Sequence, residues 1–270
     1  MAIINRTPDS FFDKGATFGA DAALAAVDRA VQEGADIVDI GGVKAGPGST
    51  VDEAEEIRRI VPFVATIRQR HPHLVISVDT WRAGVAERAV AAGADLLNDA
   101  WAGADPALAE VAAATGAGLV CSHTGGLPPR TRPHRPAYAD VVADVLDTVT
   151  GLAERALSVG VRRDGILIDP AHDFGKNTYH SLTLTRRLDE MAATGWPVLV
   201  ALSNKDFVGE SLDVPVDQRL SGTLSATVVS AWLGARFFRA HQVRATRQAL
   251  DMVATIRGDR SPAVARRGLS

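Results

Sequence analysis

The chain has 270 residues, with 29 Lys and Arg against 32 Asp and Glu, which gives a net charge of −3. Nucleic-acid-binding proteins usually carry a basic face or a high pI, so this balance argues against nucleic acid as a partner. The single cysteine, Cys121, excludes an internal disulfide and is typical of a reducing compartment. No apolar run reaches about 18 residues, and no basic segment precedes an apolar one at the start. We therefore expect a cytoplasmic protein that does not enter a membrane.

Short apolar runs recur along the chain, and each closes on or near a polar residue. Runs of four to eight residues that are rich in Val, Ile and Leu and bounded by Gly or Pro predict buried parallel strands. In chain order they are AIIN ending at Asn5, DIVDI containing Asp39, VISVD ending at Asp79, DLLND containing Asn98, GLVCSH ending at His123, GILID ending at Asp169, VLVALSNK ending at Lys205 and ARFFRAH ending at His241.

Alanine-rich segments with helical periodicity separate these runs, for example AALAAVDRAVQEGA and EAEEIRRIVPFVATIRQR. Glycine is favoured just past a helix end. It stands at or just past several predicted ends, namely Gly34, Gly93, Gly116, Gly160 and Gly195. Strand and helix alternating eight times predict a single-domain (β/α)8 TIM barrel over residues 1–258, with 259–270 as a flexible C-terminal tail. A doubly wound sheet is the alternative, because counting strands from sequence can slip by one or two.

Binding groups in such barrels cluster at the carboxyl ends of the strands, where the polar residues of these runs fall. Asp79 and Asp169 each follow four apolar residues and precede a helix-start signal. For one such Asp alone, capping the next helix is an ordinary role. Together with Asn5 and Asn98, the two carboxylates favour a polar pocket. Such a pocket could hold a heterocycle that offers a donor–acceptor edge.

A second group of residues at this rim carries positive charge. Arg239 and His241 alternate on the eighth predicted strand, so both side chains should lie on one face. Lys205 ends the seventh strand, and barrels frequently bind phosphate after strands seven and eight. The three residues together favour an anion site, and solvated surface charge is the alternative.

Histidines elsewhere are less informative. Cys121-x-His123 is a weak signal for zinc, and a histidine in the barrel interior, hydrogen-bonded to its neighbours, is favoured. His172 and Asp173 belong to the loop after the sixth strand and are expected near the rim.

The start of the chain, INRTPDSFFDKG, resembles the opening signature of dihydropteroate synthases, and the resemblance continues in order over residues 1–257. The later motifs are ISVDT, Asn98-Asp99, His123-x-Gly125, DP…FGK ending at Lys176, SNK ending at Lys205, RLSGTLSA and RAHQV.

The resemblance implies an enzyme that joins a pterin diphosphate ester to 4-aminobenzoate and releases Mg²⁺-bound pyrophosphate. It implies that the pterin is held by Asp79, Asn98, Asp169 and Lys205. It further implies that Asn5 reaches the Mg²⁺–pyrophosphate and that Arg239 and His241 contact the anion. It also suggests a homodimer, for which the late apolar segment with Val228, Val229, Trp232 and Leu233 is a candidate surface.

The chain departs from the family pattern in the loops that carry substrate groups. After the second strand, the family's Thr and Arg, which serve aminobenzoate and pyrophosphate, are replaced by Ala45 and Gly46. In the seventh-strand motif a second Arg is replaced by Asn204.

Three further substitutions accompany these losses. Arg6 replaces a small apolar residue, Asp173 occupies a usual glycine, and Thr124 stands where the family has Met. Asp173 would place a negative charge close to where a flat pterin should lie.

The sequence therefore predicts a dihydropteroate synthase homologue that retains part of the pterin pocket but is weak or inactive as a synthase. One alternative is an active synthase that uses Lys44 and Arg6 in place of the missing groups. Another is a non-catalytic protein that binds a pterin or an anion. A third is a different barrel enzyme whose new functional groups are His172, Asp173 and Arg6.

Overall fold

A computed structural model of the chain describes residues 1–7, 19–131 and 137–268. Residues 8–18, which include most of the motif INRTPDSFFDKG, and residues 132–136 and 269–270 lie outside the described residues. The eight strands are β1 Ala2–Asn5, β2 Ile37–Gly41, β3 Val75–Asp79, β4 Leu96–Asp99, β5 Gly118–Ser122, β6 Ile166–Asp169, β7 Leu199–Val200 and β8 Phe237–Phe238.

The strands form a closed parallel barrel. β1 to β6 pair in chain order in one sheet, and β7 pairs with β8. A bridge from Ile168 to Val198 joins β6 to the segment of β7, and a bridge from Ala2 to Ala240 brings β8 back to β1. The backbone N–H of Ile3 donates to the carbonyl of Ala240 at 3.2 Å across that closure. The predicted (β/α)8 barrel is confirmed, and the doubly wound alternative is wrong.

The helices surround this barrel. They are α1 Ala20–Gln32, α2 Glu53–Arg70, α3 Ala83–Ala91, α4 Ala107–Thr115, α5 Val141–Ser158, α6 Thr178–Arg186, α7 Leu188–Ala192, α8 Asp206–Leu212, α9 Leu220–Trp232 and α10 Val243–Arg257. The five glycines predicted at helix ends all have positive φ, for example +92° at Gly34 and +110° at Gly160, which glycine adopts without steric cost. No helix in the described parts of the chain is long and apolar enough to cross a membrane.

Side chains alternate along each strand, so the core has two parts. One set faces the surrounding helices, as Ile166 and Ile168 of β6 do. The other set closes the barrel interior with an apolar layer made of Leu96, Val120, Leu167 and Leu199. The interior residues two positions further along the strands are Asn98, Ser122, Asp169 and Ala201. The apolar layer is therefore the floor beneath a polar upper end.

Two features differ from the sequence prediction. The regular parts of β7 and β8 are shorter than the runs VLVALSNK and ARFFRAH, because the chain turns after them. Asn204 adopts φ +56°, and the N–H of Lys205 donates to the carbonyl of Leu202 at 3.3 Å. The turn leads directly into α8, a helix that the sequence analysis did not predict. Residues 259–268 contain no helix or strand, and the boundary of the predicted tail stays a prediction.

Candidate functional site

A cavity of about 320 Å³ lies at the carboxyl ends of the strands. The seven side chains predicted for the pterin and the anion all line it, namely Asn5, Asp79, Asn98, Asp169, Lys205, Arg239 and His241. Strands of a closed barrel end on a common rim, so residues far apart in sequence meet there. The roles of these seven residues stay predictions, but their convergence on one cavity is a feature of the structure.

A buried carboxylate, Asp39, binds two residues that line the cavity, Asn98 and Arg239. Asp39 is fully buried and accepts hydrogen bonds from Ser77 Oγ at 2.6 Å, Asn98 Nδ2 at 3.1 Å and Arg239 Nε at 2.5 Å. The amide nitrogen of Asn98 is thus used, and its oxygen remains to accept a hydrogen bond from a ligand. Asp39 lies within the predicted strand DIVDI, and no role was predicted for it. The sequence feature that indicates a role is the alternation of side chains along β2, which places Asp39 on the interior face.

Arg239 joins this carboxylate to a second one. Its Nη2 donates to Asp79 Oδ2 at 3.0 Å. Burial raises the pKa of Asp79 to about 7, although the positive charge of Arg239 opposes the shift. Arg239 is thus held between two carboxylates at the cavity wall, and its predicted contact with an anion stays a prediction.

Asp169 and Lys205 also line the cavity. Asp169 Oδ1 accepts from the N–H of Ala171 at 2.7 Å, and burial raises the pKa of this carboxyl. Lys205 Nζ donates to the carbonyl of His172 and lies 4.8 Å from the ring centre of Phe174. Burial lowers the pKa of Lys205. A carboxylate and a lysine therefore face the same space, one as acceptor and the other as donor.

The loop after β6 has an unusual backbone. Ala171 and Asp173 adopt φ +50° and +68°, in the left-handed region that favours glycine. The Asp173 carboxylate accepts from Ser181 Oγ at 2.9 Å and from the N–H of Phe207, at the start of α8, at 3.3 Å. Asp173 lines the cavity, and its carboxylate is hydrogen-bonded to residues of α6 and α8.

A chain of three titratable side chains lies behind this loop. His123 Nε2 is 2.7 Å from Asp144 Oδ1, and its Nδ1 is 2.7 Å from Lys176 Nζ. Lys176 also donates to the carbonyls of Ala171 at 3.2 Å and Phe174 at 2.8 Å. Burial lowers the pKa of Lys176 to about 7 and that of His123 to about 4.

Lys176 therefore fixes the backbone of a loop that lines the cavity. Lys176 ends the FGK motif, and no sequence pattern predicted its role. The prediction that His123 is hydrogen-bonded to its neighbours is confirmed. Its predicted place in the barrel interior is wrong, because its partner Asp144 belongs to α5 on the outside of the sheet.

His172 and Arg6, two groups of the different-enzyme alternative, lie away from the cavity. His172 is fully buried, its Nε2 is 3.1 Å from Thr185 Oγ1, and its ring stacks on Phe207 at 5.6 Å. The Arg6 guanidinium lies 4.8 Å from the ring centre of Phe63 on α2. Neither is among the described residues that line the cavity. His172 lies in the loop after β6, as predicted, but its side chain packs against Thr185 of α6 and Phe207 of α8 and not in the cavity.

The second loop, which follows β2, contributes four residues to the lining of the cavity. Ala45 and Gly46 line it, as do Val43 and Lys44. A tether from the loop after β5 holds this segment, since Arg130 donates from Nε to the carbonyl of Lys44 at 3.2 Å and from Nη1 to that of Ser49 at 2.9 Å. No sequence signal pointed to Arg130.

Asn204, where the family has a second Arg, is fully buried. Its N–H donates to Thr223 Oγ1 at 3.1 Å, and its Nδ2 donates to Gln242 Oε1 at 3.4 Å. Asn tolerates the left-handed conformation found here better than most residues do. The substitution therefore serves the turn, and the side chain is directed into the protein.

The described residues contain no group of three or more His, Cys, Asp or Glu side chains placed to hold a metal. Mg²⁺ is often bound by one or two protein oxygens together with the phosphate oxygens of a substrate. Asn5 lines the cavity and fits that pattern as a ligand for a metal that arrives with a diphosphate. A resident metal centre does not fit the described donor set.

A closed (β/α)8 barrel with carboxylates, an amide and a lysine around a cavity at its rim defines a small-molecule-binding barrel. The sequence profile of the pterin binding enzyme family matches residues 1–241. The chain belongs to this family, and it is a homologue of the dihydropteroate synthases.

Three similar proteins illustrate the relationship. A Mycobacterium leprae protein named inactive dihydropteroate synthase 2 is 61% identical, with the alignment covering 100% of this chain and 94% of the relative. The crystal structure of Yersinia pestis dihydropteroate synthase with a sulfonamide drug has a TM-score of 0.90 at 36% identity, covering 96% of this chain and 94% of that one. The Coxiella burnetii dihydropteroate synthase in complex with pteroic acid has a TM-score of 0.87 at 31% identity, covering 96% and 93%.

Proposed function

We propose that the protein binds a pterin-type small molecule in the rim cavity, and that it condenses a pterin diphosphate with 4-aminobenzoate weakly or not at all. The observation that carries this proposal is the contrast between two parts of one cavity. Asp79, Asn98, Asp169 and Lys205, the residues predicted for the pterin, all line the cavity. In the second loop, Ala45 and Gly46 stand where the family has groups for the second substrate and the anion.

The size of the loss supports a strong effect on catalysis. A hydrogen bond to a charged group contributes about 1.5–3 kcal/mol. The absence of two arginines, at the positions of Gly46 and Asn204, therefore forfeits about 3–6 kcal/mol of anion binding. That corresponds to a factor of roughly a hundred to several thousand.

Two of the similar proteins support the two halves of the proposal. The Mycobacterium leprae relative, which matches this chain over its full length, carries the name of an inactive synthase. The Coxiella burnetii structure contains pteroic acid in the same fold.

The proposal is tested by two assays on the same preparation. Calorimetric titration with pterin measures binding, and product formation from the pterin diphosphate, Mg²⁺ and 4-aminobenzoate measures turnover. We expect pterin to bind and turnover to lie at least a hundredfold below that of a dihydropteroate synthase. Comparable turnover would disprove the loss of activity, and no pterin binding would disprove the retained pocket.

One observation supports the alternative that the protein is an active synthase. Lys44 lines the cavity beside Gly46, so its charge lies in the part of the site where an arginine is missing. Lys44→Ala should abolish any measured turnover if Lys44 replaces that arginine. A flexible ammonium lacks the planar fork with which Arg binds phosphate, so this replacement would be partial. Unchanged turnover in Lys44→Ala would exclude it.

Mg²⁺ enters this proposal only together with a diphosphate. Asn5 would supply a protein oxygen to the metal, and the diphosphate would supply others. The affinity for pterin diphosphate should then depend on Mg²⁺, whereas the affinity for pterin itself should not. Titrations of both ligands with and without Mg²⁺ test this.

We also propose a cytoplasmic homodimer that pairs through α9 and α10. Val228, Val229 and Trp232 on α9 and Met252 and Ile256 on α10 are exposed apolar side chains. The two helices pack against each other, so these side chains lie on neighbouring parts of the surface. Leu233 packs on the core and does not contribute. Sedimentation equilibrium tests the dimer, and a monomer at all concentrations would exclude it.

A further inference from the structure

Ser122 lines the cavity, and its hydroxyl makes no hydrogen bond among the described residues. It ends β5 and is fully buried. A buried hydroxyl without a partner is costly, so such a group calls for an explanation.

The position of Ser122 connects it to the proposed pterin wall. β5 lies between β4 and β6 in the sheet, and Ser122 is the register partner of Asp169. The side chain alternates with Cys121, which packs outward in the helix-facing core. Ser122 therefore belongs to the same interior row as Asn98 and Asp169.

We propose that Ser122 is a specificity-determining residue of this site and that its hydroxyl hydrogen-bonds the edge of the bound heterocycle. A rotation about the Cα–Cβ bond, between staggered positions that a serine readily adopts, turns the hydroxyl toward the ligand. The inference rests on the proposed function, since it describes the same cavity with its ligand.

The neighbouring groups define the chemistry of that ligand edge. Asn98 offers its oxygen, and Asp169 offers the carboxylate oxygen that does not bind Ala171. These acceptors require N–H groups on the ligand. Lys205 and the Ser122 hydroxyl are the donors on this wall, and they require a ring nitrogen or a carbonyl oxygen. The class that satisfies both is a flat amino-oxo nitrogen heterocycle such as a pterin.

The chain provides a matched control for this idea. Ser230 on α9 is also fully buried, and its Oγ also lacks a described partner. Ser230 does not belong to the described lining of the cavity. Ser122→Ala and Ser230→Ala therefore remove the same group from the same kind of environment, and only the first removes it from the ligand site.

The test compares the wild type with both variants, using pterin as the titrant and the thermal midpoint without ligand as a second readout. Both variants should unfold at or above the midpoint of the wild type, because each loses an unsatisfied hydroxyl. Ser122→Ala should bind pterin about threefold to tenfold more weakly, which is the range of one hydrogen bond. Ser230→Ala should bind pterin as the wild type does.

The outcomes separate this inference from the proposed function. A wild type that does not bind pterin would contradict the proposed function. A wild type that binds pterin, with Ser122→Ala binding equally well, would overturn the role of Ser122 alone. Equal weakening in Ser122→Ala and Ser230→Ala would also overturn it, because the loss would then reflect the fold and not a contact with the ligand.

Discussion

Asp79 shows how burial and pairing act on one residue of the site. Burial raises the pKa of its carboxyl from 3.8 to about 7, while the adjacent Arg239 guanidinium lowers it. The folded state therefore favours the protonated form. The resulting stabilisation is fully present below about pH 4 and is lost as the pH rises toward 7.

Asp79→Asn should remove this dependence. The free energy of unfolding of the wild type, relative to the variant, should fall by up to about 4 kcal/mol between pH 4 and pH 7. Urea unfolding at a series of pH values measures it. Asp147→Asn, at an exposed position on α5, is the control and should leave the wild-type profile unchanged. Parallel profiles for the wild type and Asp79→Asn would contradict the buried-carboxyl account.

Ala171 illustrates backbone strain at a single residue. It is buried at the cavity and adopts φ +50°, where an L residue with a Cβ costs about 1–2 kcal/mol. Replacement by glycine relieves that strain, but it also raises the conformational entropy of the unfolded chain, which lowers the stability of the folded state. Ala171→Gly should therefore raise the free energy of unfolding by about 0.5–1 kcal/mol in a denaturant titration. Ala114→Gly, at an exposed position inside α4, should lower it by about 1 kcal/mol. A destabilised Ala171→Gly would show that the strain is not relieved there.

At the scale of elements, the two loops beside the cavity are held by different residues. Lys176 binds two carbonyls of the loop after β6, and Arg130 binds two carbonyls of the loop after β2. Since Ala45 and Gly46 lie between the two carbonyls that Arg130 contacts, this side chain limits the motion of the substituted loop. A loop with few fixed contacts opens at low free-energy cost.

Arg130→Ala should loosen the second loop without affecting the barrel. Amide hydrogen exchange of residues 43–50 should accelerate severalfold, while the exchange of β2 and β3 stays unchanged. Arg162→Ala removes an exposed Arg that pairs with Asp164 and serves as the control. Unaltered exchange of residues 43–50 would show that Arg130 does not restrain this loop.

At the scale of the whole molecule, local patterns predicted the barrel and the convergence of the site. Apolar runs that end in polar residues fix the strands, and a closed barrel brings their ends together. α8 and the shortened β7 could not be predicted in this way, because Asn204 turns the chain through contacts with Thr223 and Gln242. The pairing of Asp39 with Arg239 joins residues 200 positions apart, and no local pattern encodes such a contact.

The central claim is that the pterin part of the cavity is retained and that the anion part is weakened by the absence of two arginines. The most direct test is the ratio of two affinities of one protein, measured by calorimetry in Mg²⁺: for 6-hydroxymethyl-dihydropterin and for its diphosphate. A weakened anion site predicts that the diphosphate improves binding by no more than about threefold. A diphosphate bound about a hundredfold more tightly, a difference of about 2.7 kcal/mol, would contradict the claim and favour an active pyrophosphate site.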